Sequence, residues 1–129
     1  MFETVIVVDD SATARMIIKR CLQIAGCGDS NFLEAGDGAE ALEIAKSNEV
    51  NLVVTDLNMP NMDGTSLLRR IKASPKLHDL PVLVVSSVNN AAKESELLKA
   101  GAFAVINKPI SPATVAQTLQ SLNNQSEWG

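Results

Sequence analysis

Three short apolar runs constrain this chain more than any other feature: Val5-Ile6-Val7-Val8, Leu52-Val53-Val54 and Val82-Leu83-Val84-Val85. Each is too short for a buried helix, and none alternates apolar with polar residues. A strand that is apolar on both faces belongs in the middle of a parallel sheet covered by helices on both sides. Asn31-Phe32-Leu33-Glu34 and Phe103-Ala104-Val105-Ile106 are weaker and read as the two remaining strands. Helical repeats lie between the strands. Ala14, Ile17, Ile18, Cys21, Leu22 and Ala25 recur at i, i+3, i+4, i+7. Ala41, Leu42 and Ala45 mark a second helix, and Leu67, Leu68 and Ile71 a third. Leu97 and Leu98 mark a fourth, and Val115, Leu119 and Leu122 a fifth. Ser11 and Ser111 are suited to N-caps, and Gly36, Gly38, Gly64 and Gly101 punctuate turns. The order is (βα)₅. Right-handed crossovers then predict an α/β fold, an open doubly wound five-stranded parallel sheet.

A chain of 129 residues has room for one such domain. It is expected over residues 1–124, with 125–129 a polar tail that frays and leaves Trp128 exposed. Aromatics are only 3% of the chain, so the core must come from Val, Ile, Leu and Ala. The net charge of −4 repels nucleic-acid phosphates and anionic lipid, so neither is expected as a partner. No apolar run reaches 18 residues, so no membrane span is predicted. Cys21 falls on an apolar helix face, and Cys27 sits in a turn between Gly26 and Gly28; the pair makes neither a disulfide framework nor a metal quartet. The start of the chain reads as a strand followed by Asp9-Asp10, not as a signal peptide. A cytoplasmic protein with reduced thiols is expected.

In an open α/β sheet, ligands bind beyond the carboxyl ends of the strands. Asp9 and Asp10 follow the first strand, and Asp56 ends the third. Ser86 and Ser87 end the fourth, and Asn107, Lys108 and Pro109 follow the fifth. Any one aspartate after a strand is usually a helix cap or a solvated loop residue. The informative feature is that four strand ends deliver three carboxylates, a hydroxyl and a lysine to one rim. Three close carboxylates repel one another unless a cation sits among them. Mg²⁺ suits the position because it takes oxygen ligands and is often completed by a phosphate. A carboxylate there can attack a phosphoryl group and form an aspartyl phosphate. Lys108, Ser86 and nearby backbone N–H groups can then meet the new charge.

The segments Val7-Val8-Asp9-Asp10-Ser11, Asp56-Leu57-Asn58-Met59-Pro60-Asn61-Met62-Asp63-Gly64, Val85-Ser86 and Lys108-Pro109 resemble the response regulator receiver family. The single-domain chemotaxis-type members are especially similar, and the likeness runs from Thr4 to about Leu122. It implies the flavodoxin-like strand order 2-1-3-4-5. It implies Asp56 as the phosphoacceptor, and Asp10, Asp56 and the Asn58 backbone carbonyl as Mg²⁺ ligands, with Asp9 acting largely through water. Ser86 would turn toward the phosphoryl group, Lys108 would hold one of its oxygens, and Lys108-Pro109 would be cis. Many relatives carry Tyr or Phe three residues before the lysine as a rotamer switch; this chain has Val105 there, with Phe103 two residues further back.

The expected function is that of a two-component signalling receiver, not an enzyme in the ordinary sense. Its donor would be a sensor histidine kinase or a histidine phosphotransfer protein, and its output state-dependent binding to a downstream target protein. A monomer is expected. A phosphorelay intermediate or phosphate sink is the alternative within the same chemistry. An aspartyl-phosphate hydrolase of the haloacid dehalogenase type wants two aspartates one residue apart, whereas Asp9 and Asp10 are adjacent. A flavodoxin-like FMN carrier would not put three carboxylates where a phosphate sits. His78, between Pro75 and Pro81, reads as an exposed loop residue, and Arg69-Arg70-Lys72 as a solvated helix face.

Overall fold

A computed structural model describes residues 2–87 and 90–128, with 123–128 described by their backbone alone. The five strands are β1 (Thr4–Val8), β2 (Asn31–Ala35), β3 (Leu52–Asp56), β4 (Val82–Ser86) and β5 (Ala104–Asn107). Each is followed by a helix: α1 (Ala12–Leu22), α2 (Gly38–Ser47), α3 (Gly64–Ala73), α4 (Ala91–Lys99) and α5 (Pro112–Trp128). All strand pairs are parallel and the sheet order is β2-β1-β3-β4-β5. The doubly wound fold is therefore present with the anticipated order.

Every residue of β3 and β4 is buried, as their two-sided apolar sequences require. Alternate residues serve opposite faces of the sheet. Val5, Val7, Val54 and Val85 pack with Ile18, Leu22, Val115 and Leu119 of α1 and α5. Ile6, Val8, Val53 and Val84 pack with Ala41, Leu42, Leu67, Leu68 and Leu97 of α2, α3 and α4. Burying those faces places every β-to-α connection at one edge of the sheet, and the candidate residues sit there. Cys21 and Cys27 are both buried and unpaired as disulfides. No described helix is long and apolar enough to cross a membrane.

Three expectations need correction. Ile17, placed by periodicity on the inner face of α1, is 48% exposed, because only Ile18, Cys21 and Leu22 of that helix turn fully inward. Lys72 is not part of a solvated face: it is partly buried, and its Nζ donates to the carbonyls of His78 (3.1 Å) and Leu80 (2.8 Å), pinning the loop before β4. Phe103 precedes β5 and Asn107 closes it, one residue later than read from sequence. The α5 backbone is helical to Trp128. The side chain of Trp128 lies outside the described residues. His78 is exposed, as expected, and its Nδ1 lies 3.1 Å from Asp79.

Candidate functional site

Asp9 leaves β1 pointing into the sheet edge. Its N–H donates to the Ala35 carbonyl (3.1 Å), which extends the β1–β2 ladder by one bond. Its Oδ1 accepts from the Ser11 N–H (2.9 Å), and its carbonyl accepts from Arg15 Nη1 (2.6 Å). Arg15 is held in turn by Glu34, with Nε 2.9 Å from Oε1. Ser11 caps α1 by accepting from Ala14 N–H. These bonds leave Asp9 only 2% exposed.

Asp56 is the last residue of β3 and is buried, whereas Asp10 is exposed at the mouth of the site. Carboxylate oxygens of Asp9, Asp10 and Asp56 all lie within 4.8 Å of one another. Lys108 reaches into this group from the end of β5. Its Nζ is 3.3 Å from Asp56 Oδ1 and 3.7 Å from Asp9 Oδ2. The Lys108 N–H donates to the Ser86 carbonyl (2.8 Å), and the Lys108-Pro109 bond is cis, as expected. Ser86 is buried at the end of β4. Asn58 is exposed in the loop that follows β3. The structure thus brings Asp9, Asp10, Asp56, Ser86 and Lys108 to one rim, with Asn58 beside them in sequence.

The electrostatics are unbalanced. Three carboxylates face one ammonium, and Asp9 Oδ2 is buried without a hydrogen-bond partner. Burial, above all, raises the Asp9 carboxyl above its ordinary pKa. The Asp56 charge and the Asp10 contact push the same way, while the Ser11 N–H and Lys108 pull down. A buried carboxylate oxygen with no hydrogen bond, among hard oxygen donors, is what a small divalent cation completes. The Asp9, Asp10 and Asp56 cluster can therefore hold a metal ion.

This predicts the behaviour of the metal-free protein. Asp9→Asn in EDTA at neutral pH should be more stable than the parent by about 1–3 kcal/mol, the usual penalty for an unmet buried polar group. The sign follows from the raised folded-state pKa: the native state holds the Asp9 proton more tightly than the unfolded chain. The parent's deficit should therefore shrink as pH falls from neutral through that raised value. Thermal melts across pH, with EDTA throughout, check this; a destabilised Asp9→Asn would show that the charge is matched in the fold.

Residues 5–120 match the response regulator receiver domain. The chain belongs to that family. The receiver is 38% identical over 118 residues to the chemotaxis protein CheY homolog of Campylobacter jejuni, covering 91% of this chain and 89% of that one. Its structure is similar to that of the chemotaxis response regulator CheY4 of Vibrio cholerae, with a TM-score of 0.81 and 30% identity over 94% of this chain and 98% of the other. It is equally similar to CheY in the CheX-CheY-BeF3-Mg complex of Borrelia burgdorferi, with a TM-score of 0.80 and 30% identity over 93% and 88% of the two chains. The receiver is thus a CheY-type domain of two-component signalling.

Two contacts at the site escaped the sequence reading. Arg15 braces the Asp9 carbonyl, and Asp37 Oδ2 accepts from Asn61 Nδ2 (2.8 Å). Gly36 and Gly38 were legible as a turn before a helix, but Asp37 was not singled out. Its partner Asn61 lies in another loop.

Proposed function

We propose that the receiver accepts a phosphoryl group on Asp56 from a phosphohistidine on a sensor histidine kinase or a histidine phosphotransfer protein. A carboxylate oxygen of Asp56 attacks phosphorus as the phosphorus–nitrogen bond of the donor breaks, and the electron pair of that bond stays on the imidazole. The observation that carries this reading is the Lys108 ammonium 3.3 Å from Asp56, among carboxylates with one buried oxygen that has no hydrogen-bond partner. A lysine so placed can hold a phosphoryl oxygen as readily as it now holds Asp56. Ser86 supplies a hydroxyl for a second oxygen. Asp10, Asp56 and the Asn58 carbonyl would hold Mg²⁺, with Asp9 acting through water. Bound there, Mg²⁺ neutralises the carboxylates and the incoming phosphate oxygens.

The Mg²⁺ and beryllofluoride named with the Borrelia relative support a metal ion at this site, and CheX in that complex supports output through protein binding. For this receiver the output is binding of a target protein that distinguishes the phosphorylated state. Val105 stands three residues before Lys108 and is half-buried against the α2–α3–α4 side of the core. A small β-branched side chain is restricted at χ1 and exposes little area on moving. The receiver's switching would therefore run through Ser86 and the backbone more than through this position.

Incubation with acetyl phosphate tests the chemistry. With Mg²⁺, intact-mass spectra should show a single phosphoryl adduct, and with EDTA almost none. Equal adduct in both, or none with Mg²⁺, would defeat the reading.

A further inference from the structure

The loop joining β3 to α3 carries an unusual turn. Asn61 has φ of 64°, the one non-glycine residue in the left-handed region among those described. Around it the Met62 N–H donates back to the Pro60 carbonyl (2.7 Å), a three-residue closure. Three-residue turns with positive φ at the centre are the rare, strained hand of the γ-turn. Strain of this kind persists only where the surroundings impose it, and it gathers at functional sites.

The surroundings here are the start of α2. Asp37 caps that helix with Oδ1, which accepts from the Glu40 N–H (2.8 Å). Its other oxygen, Oδ2, accepts from the Asn61 side-chain amide (2.8 Å). One residue on, the Gly38 N–H donates to the Met62 carbonyl (2.9 Å). A Cβ at Gly38 would lie 2.7 Å from that carbonyl oxygen, so the approach is open only to glycine. One helix end therefore grips the strained turn by two bonds, one from a side chain and one from the backbone. The gripped turn follows Asn58 by three residues.

We propose that Asp37 and Asn61 are positioning residues, a latch between the α2 N-terminus and the β3–α3 loop that presets the Asn58 carbonyl for the metal. The inference rests on the metal reading given above. The bond orders the loop before any ion arrives, so binding the ion need not meet that ordering cost. Without the latch, the Asn61 turn relaxes and the carbonyl direction is lost.

Two substitutions at position 37 separate the latch from charge. Asp37→Ser and Asp37→Asn remove the same negative charge, and both residues are good N-caps. Only Asn reaches Asn61, whose amide can turn over to accept from it. Mg²⁺ titration followed by amide NMR should show Asp37→Ser weakened about tenfold, the low end of what losing an outer partner does to metal affinity. Asp37→Asn should stay several-fold closer to the parent. Asn61→Gly, which takes positive φ without strain but lacks the amide, should weaken Mg²⁺ as Asp37→Ser does. Melting temperatures in EDTA should differ between the two Asp37 variants by no more than one exposed hydrogen bond, since both keep the cap. Equal Mg²⁺ affinity for Asp37→Ser and Asp37→Asn, or parent-like affinity for Asn61→Gly, would overturn the latch alone. A parent that does not bind Mg²⁺ would overturn the metal reading as well.

Discussion

Asp56→Asn should form no phosphoryl adduct with acetyl phosphate and Mg²⁺, a loss of at least about two orders of magnitude in rate. The amide is neither a nucleophile of comparable strength nor a charged metal ligand. Its size matches the acid, so the fold should survive. Removing one of three clustered carboxylates also relieves repulsion, and Lys108 loses its partner at 3.3 Å while keeping Asp9 at 3.7 Å. The variant should therefore melt near the parent in EDTA while failing to react. Adduct at the parent's rate would mean that the acceptor lies elsewhere. A collapsed fold would mean that the Asp56–Lys108 pair is structural.

Gly64→Ala should be strongly destabilising, because a Cβ at Gly64 makes the shortest contact found among Gly28, Gly36, Gly38, Gly64 and Gly101. Gly64 opens α3 directly behind the acceptor, and its N–H donates to the Leu57 carbonyl (2.8 Å). A Cβ there would lie 2.2 Å from the Asp56 carbonyl oxygen and 3.0 Å from Leu57 Cα. Both neighbours are backbone in a buried strand end, so no side chain can swing aside. Overpacking a core usually costs about 1–3 kcal/mol, and a clash with fixed backbone should reach about 3 kcal/mol or more. Because the displaced residue is Asp56 itself, Mg²⁺ affinity should fall along with stability. Chemical denaturation and Mg²⁺ titration of the same sample check both. A variant within about 0.5 kcal/mol of the parent would show that α3 shifts freely.

The parts of the fold that burial alone decides were legible in the sequence. Strands β1, β3 and β4 are apolar on both faces, and nothing else in a short run reads that way. β2 is an edge strand with exposed Asn31 and Glu34, so its pattern was weaker and its end came one residue late, at Ala35. Periodicity placed Ile17 inward because it counts faces and not how wide a face the sheet covers. The site residues were legible because each ends or follows a strand, where the chain has few choices of position. Their braces were not. Arg15 meets Glu34 only because β1 pairs in parallel with β2, setting Val7 opposite Glu34. Asp37 meets Asn61 across 24 residues and two elements. Contacts of that kind depend on register and crossover, which a single sequence does not print.

The account turns on where the phosphoryl group goes. The direct measurement is to treat the parent chain with acetyl phosphate and Mg²⁺, trap the acyl phosphate with borohydride, and map the reduced residue by peptide mass spectrometry. The account predicts reduction at Asp56, lost when EDTA replaces Mg²⁺. Reduction at Asp9 or Asp10, or an unreduced chain despite the adduct mass, would contradict it.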